Sequence, residues 1–129
     1  MNLAYVDSSA LVKLVLDEAD AAAMRRWYVE AERVASSVIG LIETRRAVAR
    51  KVDAPAHVNR ILQTVITLDL DGVIAAGASR SAPLGLRTLD AIHLATALVI
   101  GSELEAFVTY DDRLAEAARA VGLPVVRPA

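Results

Sequence analysis

The chain has 129 residues, 55% of them hydrophobic, with a mean hydropathy of +0.41; that length suits one domain with a multilayer core. Its 25 alanines explain much of the apolar average, no apolar run reaches the roughly 18 residues of a membrane span, and the lack of cysteine excludes disulfides, thiolate zinc sites and cysteine nucleophiles. A net charge of −2 and five aromatic residues exclude a broadly basic nucleic-acid coat and a base-stacking sheet. The start of the chain carries no basic segment and Asp7 interrupts its first apolar stretch, so no secretory signal is expected and the cytoplasm is the expected compartment.

Strands and helices alternate along the chain. Leu3 to Val6 is a first strand, followed by Asp7-Ser8-Ser9 and a helix to about Leu16. Ala19 to Ala31 is Ala-rich and helical, and Arg33 to Ser36 is a short second strand. Val38, Leu41, Ile42, Val48, Ala49 and Val52 recur at helical spacing. Pro55 opens a further helix carrying Val58, Ile61, Leu62, Val65 and Ile66 on one face. Alternation predicts a third strand from Leu68 to Val73 and then a short helix, Ile74 to Ser81. Thr88 is expected to cap an apolar helix that runs to Ile100 and stops at Gly101. Ala106 to Thr109 is a fourth strand, Asp111 to Val121 a helix ended by Gly122, and Pro124 to Val126 a last strand. This order predicts an α/β domain over residues 1–129, with a parallel sheet between two helical layers.

Ligands of such a sheet bind beyond the carboxyl ends of its strands. Asp7 follows the first strand and Asp111 the fourth. Asp90 lies in the first turn of the helix leading into the fourth strand, and Glu43 about two turns into the helix after the second. Each has an ordinary structural role open to it. Asp7 and Asp111 are typical N-caps, Asp90 complements a helix dipole, and Glu43 can pair with Arg46. Together they make a different pattern, because Asp90 is a charge set among Leu89, Ala91, Ile92 and Leu94 and needs a partner or a cation. Clustered carboxylates are hard oxygen donors that select Mg²⁺ or Mn²⁺. Neither His57 nor His93 has a second histidine near it in sequence, so hydrolysis would rest on metal-activated water rather than a histidine pair.

The segments YVDSSALVKL (5–14), IETRRA (42–47), LRTLDAIHLATAL (86–98) and VTYDDRLAEAARAVGL (108–123) resemble the motifs of PIN-domain ribonucleases, specifically the VapC-type toxins of bacterial toxin–antitoxin modules. The resemblance spans nearly the whole chain. It implies a three-layer α/β/α domain with a five-stranded parallel sheet, and a Mg²⁺- or Mn²⁺-dependent endoribonuclease. It also implies an RNA substrate, a homodimer and a cognate VapB-type antitoxin. Carried over by motif position, Asp7, Glu43, Asp90 and Asp111 form the acidic quartet, Ser9 and Thr109 support it, and Asp112 lies at its margin. A catalytically inactive PIN-like interaction domain would be expected to lack part of that quartet, and a DNA-directed PIN-like nuclease to carry clamping insertions. Lys13 and Arg87 are candidate phosphate contacts, and His93 is expected to pack or support rather than ligate. Trp27 and Tyr28, with Leu11, Leu14, Val15 and Leu16, are expected to form an antitoxin groove or dimer contact from which a basic side chain reaches Asp7 and Asp90.

Overall fold

A computed structural model describes residues 2–81 and 83–129. Its sheet has five parallel strands: β1 (Leu3–Val6), β2 (Val34–Ser37), β3 (Ile66–Leu68), β4 (Leu104–Val108) and β5 (Val125–Val126), in the order β3-β2-β1-β4-β5. Parallel pairing requires a crossover between neighbouring strands. The helices supply these: α1 (Ser8–Val15), α2 (Ala21–Glu30), α3 (Val38–Ala49), α4 (Pro55–Leu62), α5 (Gly72–Arg80), α6 (Thr88–Ile100) and α7 (Asp112–Ala120).

The period of two along β1 sorts the layers. Ala4 and Val6 face a core built with Leu11, Leu14, Met24, Leu41, Val48 and Leu62 from α1 to α4. Tyr5 faces the other way, into a core with Leu94, Phe107, Leu114 and Ala118 from β4, α6 and α7. Its ring stacks on Phe107 with centroids 5.4 Å apart. The result is the three-layer α/β/α arrangement expected from the sequence.

Chain direction reverses across the sheet between β1 and its neighbour β4, because the chain first builds outward to β2 and β3 and then returns. Such a switch point opens a crevice at the carboxyl ends of the two strands. Val6 lies in register with Val108, and the Asp7 N–H donates to the Val108 carbonyl at 3.2 Å, so the residues following both strands emerge side by side.

Several boundaries differ from expectation. The third strand is Ile66–Leu68 rather than Leu68–Val73. The Leu68-Asp69-Leu70-Asp71 alternation imitates a strand, but Asp71 accepts the Ile74 N–H at 2.9 Å and caps α5. Consequently α4 ends at Leu62, leaving Val65 and Ile66 outside the helix. The N-cap of α6 is Arg87, not Thr88, and it makes no side-chain capping bond. Helix α2 begins at Ala21 because Asp20 takes a left-handed φ of 65°.

Candidate active site

Asp7 is buried at the end of β1, where it accepts three hydrogen bonds. Its Oδ1 accepts the Ser9 hydroxyl at 2.6 Å and the Ala10 N–H at 3.1 Å, and its Oδ2 accepts the Thr109 hydroxyl at 2.6 Å. The two hydroxyls are themselves fixed: Ser9 Oγ accepts the Tyr110 N–H at 2.8 Å and Thr109 Oγ1 accepts the Asp111 N–H at 3.0 Å. These bonds tie the end of β1 to the end of β4. Burial pushes the Asp7 carboxyl up, while these three hydrogen bonds pull it back.

Asp111 caps α7, its Oδ1 accepting the Leu114 N–H at 3.0 Å. Asp90 stands half-buried in the first turn of α6. Its carboxyl is raised first by burial and then by the negative charge of Asp111, with Asp7 and Glu43 adding to the effect. The four carboxylates proposed from the sequence therefore share one electrostatic environment at the crevice. Among the described residues, no three acidic or histidine side chains are drawn together tightly enough to hold an ion as they stand.

Glu43 does not pair with Arg46. Its Oε1 lies 2.7 Å from Nε2 of the buried His93, whose Nδ1 lies 2.5 Å from the Tyr5 hydroxyl. His93 thus packs in the core and lies behind Glu43. Tyr5 is the residue that sequence reasoning missed. The available signal was its place on β1, two residues before Asp7.

Asp112, expected at the margin of the quartet, is exposed and pairs with Arg127 at 2.8 Å on the surface. Lys13 is also committed elsewhere, donating to the Ala19 carbonyl at 2.7 Å, pairing with Glu18 and lying over the Tyr110 ring. Arg87 is exposed one turn from Asp90. Of the residues expected to form a groove, Leu14 and Tyr28 line a cavity with Val29, His57 and Ile61, whereas Leu11 and Leu16 are buried in the core. Trp27 lines a cavity with Asn2, Ala4, Arg33 and Glu105. That cavity opens at the amino ends of the strands, opposite the carboxylates, because α2 runs antiparallel to the sheet and finishes there.

A family model for the PIN domain matches residues 4–120, and the chain belongs to that family. Its curated relatives include Ribonuclease VapC46 of Mycobacterium tuberculosis strain H37Rv, 38% identical over 129 residues and covering 99% of both chains. Ribonuclease VapC47 of strain CDC 1551 is 39% identical and covers 96% of both. Among solved structures, M. tuberculosis VapC20, a Sarcin-Ricin loop cleaving toxin, shares the fold with a TM-score of 0.76 at 20% identity, covering 98% of this chain and 100% of its own. A toxin–antitoxin complex from Klebsiella pneumoniae superposes with a TM-score of 0.70 at 23% identity, covering 98% of each chain. Among the described residues, no helix is long and apolar enough to cross a membrane.

Proposed function

We propose that this chain is a metal-dependent endoribonuclease, the toxin of a VapBC-type pair acting in the cytoplasm as one PIN domain. The observation that carries the chemistry is the approach of Asp7, Glu43, Asp90 and Asp111 to one another at the β1/β4 switch point, where burial first and then the charges of the other three acids raise the Asp90 carboxyl. The VapC ribonuclease relatives support the substrate class and the toxin role. The toxin–antitoxin complex among the structural neighbours supports a VapB-type partner, and family resemblance supports a homodimer.

An all-oxygen acidic donor set fits Mg²⁺ or Mn²⁺, and its open spacing fits an ion that keeps several waters and takes only one or two carboxylates. When bound, the ion supplies Lewis-acid chemistry: it acidifies water and neutralises charge developing on the scissile phosphate. The residues of the chain prepare that site. Ser9, Thr109 and the Ala10 N–H hold Asp7 in one orientation and favour its ionised form against the effect of burial. Asp111 spends one oxygen on its helix cap and keeps the other for the crevice. Asp90 contributes a carboxylate whose ionised form a neighbouring cation would favour. Arg87 is placed to meet an RNA phosphate at the rim.

Cleavage of an RNA panel should require Mg²⁺ or Mn²⁺, stop with chelator, and leave 5′-phosphate and 3′-hydroxyl ends. Cyclic phosphate ends or full activity in chelator would overturn this reading, since both mark attack by the RNA 2′-hydroxyl. Suppression of cleavage by the product of an adjacent antitoxin reading frame tests the toxin role.

A further inference from the structure

We infer that Tyr5 and His93 act as positioning residues for Glu43, through a buried relay from the Ser37 N–H to the Tyr5 hydroxyl, on to His93 Nδ1, and from His93 Nε2–H to Glu43 Oε1. The inference rests on the proposed role of Glu43 in holding the cation. It uses bonds reaching across four elements, β1, β2, α6 and α3, that no local sequence pattern requires.

The direction of the relay follows from counting protons. The Ser37 N–H donates to the Tyr5 oxygen at 3.2 Å. A phenol carries its proton at neutral pH. Its neighbour Ser36 spends its own proton on the Val6 carbonyl at 2.6 Å. The Tyr5 proton therefore has His93 Nδ1, at 2.5 Å, as its acceptor. Nδ1 is then unprotonated, the ring proton sits on Nε2, and it donates to Glu43 at 2.7 Å. Every proton in the chain is used, and no buried polar side-chain atom among the described residues lacks a partner.

The space for the relay is also built in. A Cβ at Gly40 of α3 would stand 2.5 Å from Ser36 Oγ and 3.0 Å from His93 Cε1, so the glycine lets the imidazole pass close to the helix backbone. His93 side-chain exposure is 1%, whereas that of Glu43 is 24%. The relay is thus anchored in the core and ends on a carboxylate that reaches the crevice. One Glu43 oxygen is fixed by the imidazole, which orients the other. Partners behind a ligating group commonly set metal affinity by about 10–100-fold, because they fix the orientation of that group.

The test measures Mn²⁺ binding calorimetrically to the full chain stripped with chelator, with folding of each variant checked by its melt. Glu43→Gln and Asp90→Asn should each weaken binding about 10-fold or more. Tyr5→Phe, which keeps the ring stacked on Phe107, should weaken it several-fold. His93→Asn, which removes the donor to Glu43, should weaken it more than His93→Gln, whose amide reaches the Nε2 position. Tyr5→Phe combined with Glu43→Gln should be no weaker than Glu43→Gln alone, the non-additivity of groups acting in series. Nitrogen-15 spectra of the two histidine rings should show His93 as the Nε2–H tautomer in the parent protein and a tautomer mixture in Tyr5→Phe.

Unchanged affinity in both Glu43→Gln and Asp90→Asn would overturn the carboxylate site itself. Loss in those two with parental affinity in Tyr5→Phe and His93→Asn would overturn the relay alone. An Nδ1–H or doubly protonated His93 in the parent protein would also overturn it, and that measurement stands even if Tyr5→Phe fails to fold.

Discussion

Capping and catalysis are not alternatives for the aspartates at the crevice. A carboxylate has two oxygens, and Asp111 gives only one to the backbone N–H of its helix. Asp7 goes further, accepting a helix N–H and two hydroxyls while fully buried. Removing that acceptor strands three donors, so Asp7→Ala should cost about 2 kcal/mol of stability from the lost cap and unpaired hydroxyls. Asp7→Asn presents a different balance. It keeps an oxygen for Ser9 and Ala10, loses the acceptor for Thr109, and removes a buried charge. Its stability in chelator should stay within about 1 kcal/mol of the parent, while RNA cleavage falls at least about 100-fold, as expected when a ligand to the catalytic ion is neutralised. Denaturant melts and cleavage rates on the same preparations check both halves. A large loss of stability in Asp7→Asn would make the residue chiefly structural.

At the scale of elements, α6 breaks a local rule in an informative place. Its N-cap, Arg87, has the extended backbone (φ −63°, ψ 149°) that a capping serine or aspartate adopts, yet no side-chain cap bond is made. A cation there also faces the positive end of the helix dipole. Departures from local consistency concentrate at functional sites, which supports the proposed phosphate contact. Arg87→Ser should therefore stabilise the fold by about 0.5–1 kcal/mol while raising the KM for RNA several-fold. A variant that is more stable and binds RNA as before would remove Arg87 from the site. The sequence made the strand–helix order and the four carboxylates legible because those signals are local: an apolar run, then an acid, then helical periodicity. It misplaced β3 because Leu68 to Asp71 alternates like a strand while Asp71 serves as a cap. It also missed Tyr5, whose partner His93 lies 88 residues away. Trp27 misled for a related reason: its size was readable, but its edge of the sheet depended on the direction of α2.

Across the whole molecule, the carboxylate cluster links stability to pH and to metal. Burial and neighbouring charges raise the Asp90 carboxyl above its ordinary value of 3.8, and burial raises Asp7 as well. Between the ordinary and raised values, the folded metal-free protein holds more protons than the unfolded chain. Stability contributed by these groups therefore falls as pH rises through that window and stays low above it. In chelator, the melting temperature should rise as pH is lowered from neutral toward the raised value, and Asp90→Asn should flatten that rise. Mn²⁺ binds the folded cluster in its ionised form, so its effect should run the other way. It should be largest at neutral pH and fade as the carboxylates protonate. At about 100 times its Kd the ion should add about 2.7 kcal/mol, or about 2–8 °C for each kcal/mol in a domain of this size class. Scanning calorimetry across this pH range, with chelator and with Mn²⁺, measures both slopes. A chelator curve that rises toward neutral pH, together with a melt that Mn²⁺ does not move, would mean that the four acids do not act as one cation-binding cluster.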